Sequence, residues 1–174
     1  MTIGGKPVLA WLGDDFTGAA AVMEVLAFAG LPAVLFLRPP TLERMADFPD
    51  MRGIGIASMA RTFDPERMDE ELPDLFDILG QTGARLVQYK TCSTLDSAPR
   101  IGYIGKAMDI GSKTFATSTI PVIVAAPEMR RYQAFGQLFA GTDAGVFRLD
   151  RHPVMARHPV TPIVEADVAI PPSA

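Results

Sequence analysis

The sequence predicts an α/β fold: a three-layer, Rossmann-like domain with a mostly parallel sheet of about five or six strands, helices on both faces and a Pro-rich carboxy-terminal arm. Three observations lead there. Short apolar runs alternate with helical stretches, the pattern of βαβ units joined by right-handed crossovers. The run Val8 to Leu12 stops at Gly13, and a helical stretch opens almost at once at Thr17. Polar and charged residues follow several of the runs, where open α/β sheets place their ligands.

In chain order, Val8 to Leu12 is bulky enough for a buried first strand. From Thr17 to Ala29 only Glu24 is charged, which predicts a helix covered on most sides. Ala33 to Leu37 is a second strand, ended by Arg38-Pro39-Pro40 because proline cannot continue a central strand. Thr41 to Ala46 suits a short helix and Gly53 to Ala57 a third strand. Asp64-Pro65 opens a helix with apolar positions at Met68, Leu72, Leu75, Phe76 and Leu79, closed between Gly80 and Gly83. Ala84 to Tyr89 is a fourth strand, then come a polar loop from Lys90 to Ser97 and a helix from Ile101 to about Lys113. Ile120 to Ala125 is expected as a fifth strand. Glu128 to Phe139 fits a helix or an ordered loop, and Phe147 to Leu149 a short strand. The division expected is a domain over 1–150 and an extended arm over 151–174, where RHPV occurs at 151–154 and again at 157–160. Five prolines between Pro153 and Pro172 exclude a regular helix there. Such an arm reads as a connector to a second domain that these 174 residues do not contain.

Composition narrows the function classes. The chain of 174 residues suffices for one ordinary domain with a real core. Mean hydropathy is +0.20, yet Glu24 interrupts the longest apolar stretch below the roughly 18 residues a membrane span needs. No basic leader precedes an apolar segment, and the single Cys92 suits a reducing compartment, so a cytoplasmic location is expected. A net charge of −4 with scattered basic residues argues against nucleic acid as a partner.

Three strand exits share a chemical character. The first carries Asp14 and Asp15, the third Ser58 and Arg61, the fourth Lys90, Ser93, Thr94, Asp96 and Ser97; Arg130, Arg131 and Tyr132 follow the expected fifth strand. Parallel strands exit on one side, so these groups are expected in one cleft, suited to a small, anionic, polyhydroxylated ligand. Adjacent carboxylates repel unless a cation, a proton or a donor-rich ligand compensates. A structural reading stands beside this one: Asp14, Asp15 or Thr17 caps the first helix, and Ser93, Thr94 or Ser97 caps a later one. Gly53-Ile54-Gly55 lacks the third glycine and the helix of a dinucleotide fingerprint, and no P-loop occurs. His152 and His158 lie on a Pro-rich stretch without helical ligand spacing, so no metal site is expected.

GDDFTGAAA at 13–21, YKTCSTLDSAP at 89–99, AAPEMRRYQAFGQLFAG at 125–141 and RHPVTP at 157–162 together resemble the amino-terminal domain of the four-carbon acid sugar kinases, the D-threonate, D-erythronate and 3-oxo-tetronate kinases. The resemblance implies an acid-sugar-binding half of an ATP-dependent kinase whose second α/β domain, with ATP and Mg²⁺, lies outside this chain. It implies that Asp14 and Asp15 contact sugar hydroxyls, with Asp15 as the catalytic group that orients or deprotonates the attacking one. It matches Arg61 to the substrate carboxylate, Lys90, Ser93, Thr94, Asp96 and Ser97 to the substrate loop, and Arg131 to an arginine after the fifth strand. Two positions depart: Tyr103 follows Gly102 where relatives often have Asn, and Arg130 stands where glycine is common. The implied partners are a small sugar acid, an ATP-binding domain supplied in trans, and a further copy of the chain through an uncovered apolar face. The alternatives are a stand-alone small-acid-binding module without catalysis and a receiver-like signalling domain. The latter is disfavoured because Ser58 stands where that fold needs an acceptor aspartate.

Overall fold

The computed structural model describes residues 6–169. Four parallel strands, β1 (Leu9–Gly13), β2 (Ala33–Phe36), β3 (Gly53–Ala57) and β4 (Leu86–Lys90), form a sheet in the order β2-β3-β1-β4. Leu9 of β1 lies opposite both Gly53 and Leu86, so the three strands run in register and their carboxyl ends, Gly13, Ala57 and Lys90, are level. The polar residues after them therefore emerge at one height.

The sheet is covered unequally. On one face the helix α1 (Phe16–Phe28) buries Ala19 and Val22, and the Trp11 indole inserts under it, donating from Nε1 to the Ala19 carbonyl at 3.1 Å. On the other face α3 (Pro65–Gln81) and α4 (Ile104–Thr114) pack together, and Met68, Leu72, Leu75, Phe76 and Leu79 meet Ala10, Leu12 and Ile56. These are the five apolar positions the sequence periodicity picks out. The α3 start follows its signals as well: the Asp64 carboxylate accepts from the Arg67 amide at 2.8 Å, with Pro65 at the first helical position. A short helix, α2 (Leu42–Ala46), is capped by Thr41.

Three expectations are corrected. The parallel sheet has four strands, not five or six, because Ile120 to Ala125 is not a strand. Pro121 removes one ladder donor, and the Gln133 carboxamide takes two backbone groups instead, accepting from the Val124 amide at 2.9 Å and donating to the Val122 carbonyl at 3.1 Å. Helix α1 is not covered on most sides: Val25 and Phe28 are 68% and 86% exposed. Over the described residues 151–169 the carboxy-terminal stretch packs back onto the chain rather than standing off from it. Residues 131–148 form a small antiparallel sheet, β5 (Arg131–Ala134), β6 (Gln137–Thr142) and β7 (Gly145–Arg148), where a helix or loop and one short strand were expected. Its first hairpin turns on Phe135 and Gly136, both at positive φ, as a two-residue turn demands. Met155, Ile163 and Ala166 then bury against Leu138, Ala140 and Leu149, forming a second core. Residues 170–174, with two of the five prolines, lie outside the described residues.

The repeated RHPV has a structural use. His152 Nδ1 accepts from the amides of Val154 and Met155, and His158 Nδ1 accepts from the amide of Thr161, so each imidazole caps a proline-led turn. Both need an unprotonated Nδ1. Burial and the nearby Arg131 charge hold the His152 pKa below its ordinary value of 6.5. The unfolded chain thus takes up a proton before the folded one does, and the stability this turn contributes is present above pH 6.5 and lost as pH falls below it. Urea titrations at pH 7.5 and 5.5 check this. A His152→Asn variant, which keeps an acceptor but cannot titrate, is expected to lose less stability across that interval than the native chain.

Candidate functional site

At the level ends of β1, β3 and β4 the charged groups converge. Asp14 follows β1 and its backbone is held from both sides: its amide donates to the Lys90 carbonyl at 3.0 Å, and its carbonyl accepts from the Arg61 amide at 3.0 Å. Ser58 reinforces the join by donating to the Gly13 carbonyl at 2.7 Å and accepting from the Ala60 amide. A 3-10 turn over Ala60–Thr62 then aims Arg61 back across the strand ends. Gly102, at φ 58°, lies so close behind this turn that a Cβ there would sit 2.6 Å from the Arg61 carbonyl. Its amide ties the turn down by donating to the Phe63 carbonyl at 2.8 Å.

Arg61 grips both aspartates. Its Nε and Nη2 donate to the two oxygens of Asp14 at 3.1 and 2.7 Å, and its Nη1 lies 2.7 Å from Asp15 Oδ2. The cation that the acid pair requires is therefore internal, and two of the five guanidinium N–H donors remain for a ligand. Asp15 also caps α1, accepting from the Gly18 amide at 2.6 Å, so the structural reading of this pair holds as well. The two acids differ in access: the Asp14 side chain is 3% exposed and that of Asp15 31%. Burial raises the Asp14 pKa above the ordinary carboxylate value and outweighs the Arg61 hydrogen bonds and charge that pull it down. Burial opposes the Arg61 charge, but the Asp14 hydrogen bonds and the surrounding negative groups raise its pKa. The Tyr89 phenol, desolvated and facing the Asp14 charge, is pushed up and stays protonated.

Lys90, at the end of β4, donates to the Thr91 carbonyl at 2.5 Å and passes beside Gly18, leaving two of its three N–H donors uncommitted. Thr94 links the following loop, donating to Asp96 Oδ1 at 2.9 Å and lying 3.0 Å from Cys92 Sγ. Ser97 behaves structurally: its hydroxyl accepts from the Ile104 amide at 3.1 Å, where Tyr103 provides no side-chain cap for α4. Ser93 makes no side-chain hydrogen bond among the described residues. Arg131 lies on β5, donating to the Met129 carbonyl at 3.1 Å, and no hydrogen bond or ion pair connects it to Asp14, Asp15 or Arg61. Arg130 has φ 56°, in the left-handed region that favours glycine. Sequence reasoning missed Ser58 as a brace and Gly102 as a buttress; only the positive φ of Gly102 has a sequence correlate, the glycine itself. Among the described residues no three His, Cys, Asp or Glu side chains gather as a metal site.

Comparison with known proteins decides the family. A family model described as a sugar-binding N-terminal domain matches residues 9–170. The chain belongs to that family. The family's curated relatives are kinases: the 3-oxo-isoapionate kinase of Paraburkholderia graminis is 48% identical over 163 residues, covering 94% of this chain and 35% of the relative. A 3-oxo-tetronate kinase of Cupriavidus necator is 31% identical over 170 residues, covering 96% of this chain and 37% of the relative. The chain thus spans little more than a third of the length of these kinases, and corresponds to their sugar-binding amino-terminal part. Among solved structures, a Haemophilus influenzae protein superposes with TM-score 0.77 at 26% identity, covering 91% of this chain and 36% of its own. A Bordetella bronchiseptica domain, a domain-swapped dimer with bound citrate, superposes with TM-score 0.73 at 20% identity, covering 94% and 39%. No described helix is long and apolar enough to cross a membrane.

Proposed function

We propose that the chain binds the sugar acid for an ATP-dependent kinase that phosphorylates a hydroxyl of a 3-oxo sugar acid, with 3-oxo-isoapionate as first candidate and 3-oxo-tetronate, threonate and erythronate as the wider class. The observation that carries this is the acid pair locked by Arg61 at the strand ends, in a chain 48% identical to a 3-oxo-isoapionate kinase. Asp15, the more accessible acid, receives the proton of the attacking hydroxyl, the role an aspartate plays when phosphoryl transfer depends on positioning. The uncommitted donors of Arg61 and Lys90 meet the substrate carboxylate. Thr94 and Asp96 bond sugar hydroxyls, with Ser93 beside them. Ser97 and Arg131 act at one remove: Ser97 holds the loop to α4, and Arg131 closes on the ligand only with the rest of the kinase in place. ATP and its Mg²⁺ belong to the remaining two thirds of such a kinase, since both aspartates here are committed to Arg61 and fit a sugar better than a hydrated metal ion.

Calorimetric titration of the chain with the four acids tests this reading. At least one 3-oxo acid is expected to bind, and Asp15→Ala to weaken it at least about tenfold, one lost charge-assisted hydrogen bond being worth about 1.5–3 kcal/mol. Asp15→Asn separates cap from charge: it retains the α1 cap and hence stability, which the alanine lowers by about 1 kcal/mol. Failure of all four acids to bind, or unchanged binding in Asp15→Ala, would overturn the assignment.

A further inference from the structure

Two donors on the inner face of the small antiparallel sheet have no acceptor. Arg131 of β5 lies opposite Ala140 of β6, and Ala140 opposite Phe147 of β7, so the three stand in one row with their side chains on one face. Ala140 adds only a methyl group between the other two. His152 packs edge-on against the Phe147 ring, with centroids 6.3 Å apart, and its imidazole lies in the field of the Arg131 charge. Arg131 Nη1 turns to the carbonyls of Met129 and Arg130 at 3.1 and 3.4 Å. Its Nε is buried without a partner, and Nη2 bonds no acceptor among the described residues. These two atoms form one edge of the guanidinium plane, an edge that grips an oxyanion with two parallel hydrogen bonds. His152 is 7% exposed. Its Nδ1 accepts from the amides of Val154 and Met155, which puts the proton of the neutral ring on Nε2, and Nε2 also has no acceptor among the described residues. Arg61, Arg130 and Arg148 each hold an aspartate; Arg131 forms no ion pair among the described residues. A partly buried cation without a counter-ion and a buried N–H without an acceptor both carry an uncompensated desolvation cost. One bound anion offsets both.

We propose that Arg131 and His152 form a second ligand site, which takes a tetrahedral oxyanion of the phosphate class. Two of its oxygens accept from Arg131 Nε and Nη2, and a third accepts from His152 Nε2. A planar carboxylate has no third oxygen to offer. Neither residue bonds Asp14, Asp15, Arg61 or Lys90 among the described residues, so the site stands whether or not the sugar-acid reading does.

Inorganic phosphate, acetate and chloride test it, each titrated at pH 7.5 and constant ionic strength into the ¹⁵N-labelled chain. The signals followed are the amides of β5, β6 and β7 and the rings of both histidines. Phosphate is expected to shift the His152 ring and the amides of Arg131 and Ala140 saturably, and to leave the His158 ring in place. Acetate should bind at least about threefold more weakly, the effect of one neutral hydrogen bond, and chloride should give no saturable shift. Arg131→Gln should weaken phosphate binding at least about tenfold, the effect of a charge-assisted hydrogen bond. Arg131→Lys should restore little of it, because an ammonium lacks the planar fork. His152→Asn keeps an acceptor for the Val154 and Met155 amides but loses the Nε2 donor, and should weaken phosphate by about threefold, read from the amides. No saturable shift with phosphate, equal shifts from phosphate and chloride, acetate bound as tightly as phosphate, or undiminished binding by Arg131→Gln would each overturn the proposal. His152→Asn decides the matter if Arg131→Gln does not fold: phosphate binding as tight as in the native chain would overturn the proposal.

Discussion

Replacing Arg61 by methionine is expected to destabilise the fold by about 3 kcal/mol, the lower end of what breaking a buried ion pair costs by removal of one partner. The lower end applies because the Arg61 side chain is 24% exposed and water reaches part of the site. What remains after the substitution is the cause: Asp14, 3% exposed, and Asp15 face one another with no cation between them. Asp14 responds by binding a proton more readily, so the loss should be largest near pH 7 and shrink as the pH falls towards the carboxylate range. Adding Asp14→Asn to Arg61→Met removes the orphaned charge and should recover about half of the lost stability, though not ligand binding. Arg61→Lys should recover little, because one ammonium cannot span the three contacts that the planar fork makes. Urea denaturation of the four chains at pH 7 and pH 5 measures this. An Arg61→Met chain as stable as the native one would show that the acid pair is not held by this cation.

This cluster also shows how far the residues alone carry the site. The acid pair, the arginine after β3 and the lysine after β4 were legible because each follows a strand that pattern and punctuation define. Four parallel strands with level ends then bring them together. What pattern does not carry is which polar atoms satisfy each other. Arg61 reads as a clamp for a ligand carboxylate, yet most of its donors go to Asp14 and Asp15. Ser97 reads as part of a ligand loop, yet caps α4 seven residues on. The same blindness explains the missing strand. Ile120 to Ala125 has strand composition, but its hydrogen bonds are taken by Gln133, a polar side chain nine residues from Val124 whose role no periodicity announces. Pro153, Pro159 and Pro162 exclude a regular helix, as expected; they do not exclude capped turns folded onto a hairpin, because the caps are histidine nitrogens.

Gly55→Ala is the second substitution with a large expected effect, although it adds one methyl group in the middle of a strand. The position is filled from the neighbouring strand: a Cβ there would sit 2.1 Å from Trp11 Cε2 and 2.3 Å from Cζ2. The indole cannot step aside. Trp11 is fully buried, its Nε1 is bonded to the Ala19 carbonyl of α1, and Gly53 beside it would bring a Cβ within 3.1 Å of the same ring. The glycines of Gly53-Ile54-Gly55 are thus the bed of Trp11 rather than a nucleotide fingerprint, and the indole fixes how α1 lies on the sheet. Overpacking of this kind costs about 1–3 kcal/mol, occasionally more, and the upper part of that range is expected because a hydrogen bond is lost along with the packing. Trp11 is the single tryptophan of the chain, so its fluorescence reports the site directly. The variant should show a red-shifted emission and a lower urea midpoint. It should also bind the sugar acid more weakly without any change in a charged residue, because displacement of α1 carries Asp15, its cap, away from Arg61. The paired variant Gly55→Ala with Trp11→Phe, which trims the ring that collides, should fold more stably than Gly55→Ala alone; equal stability of the two would mean that the strain lies elsewhere.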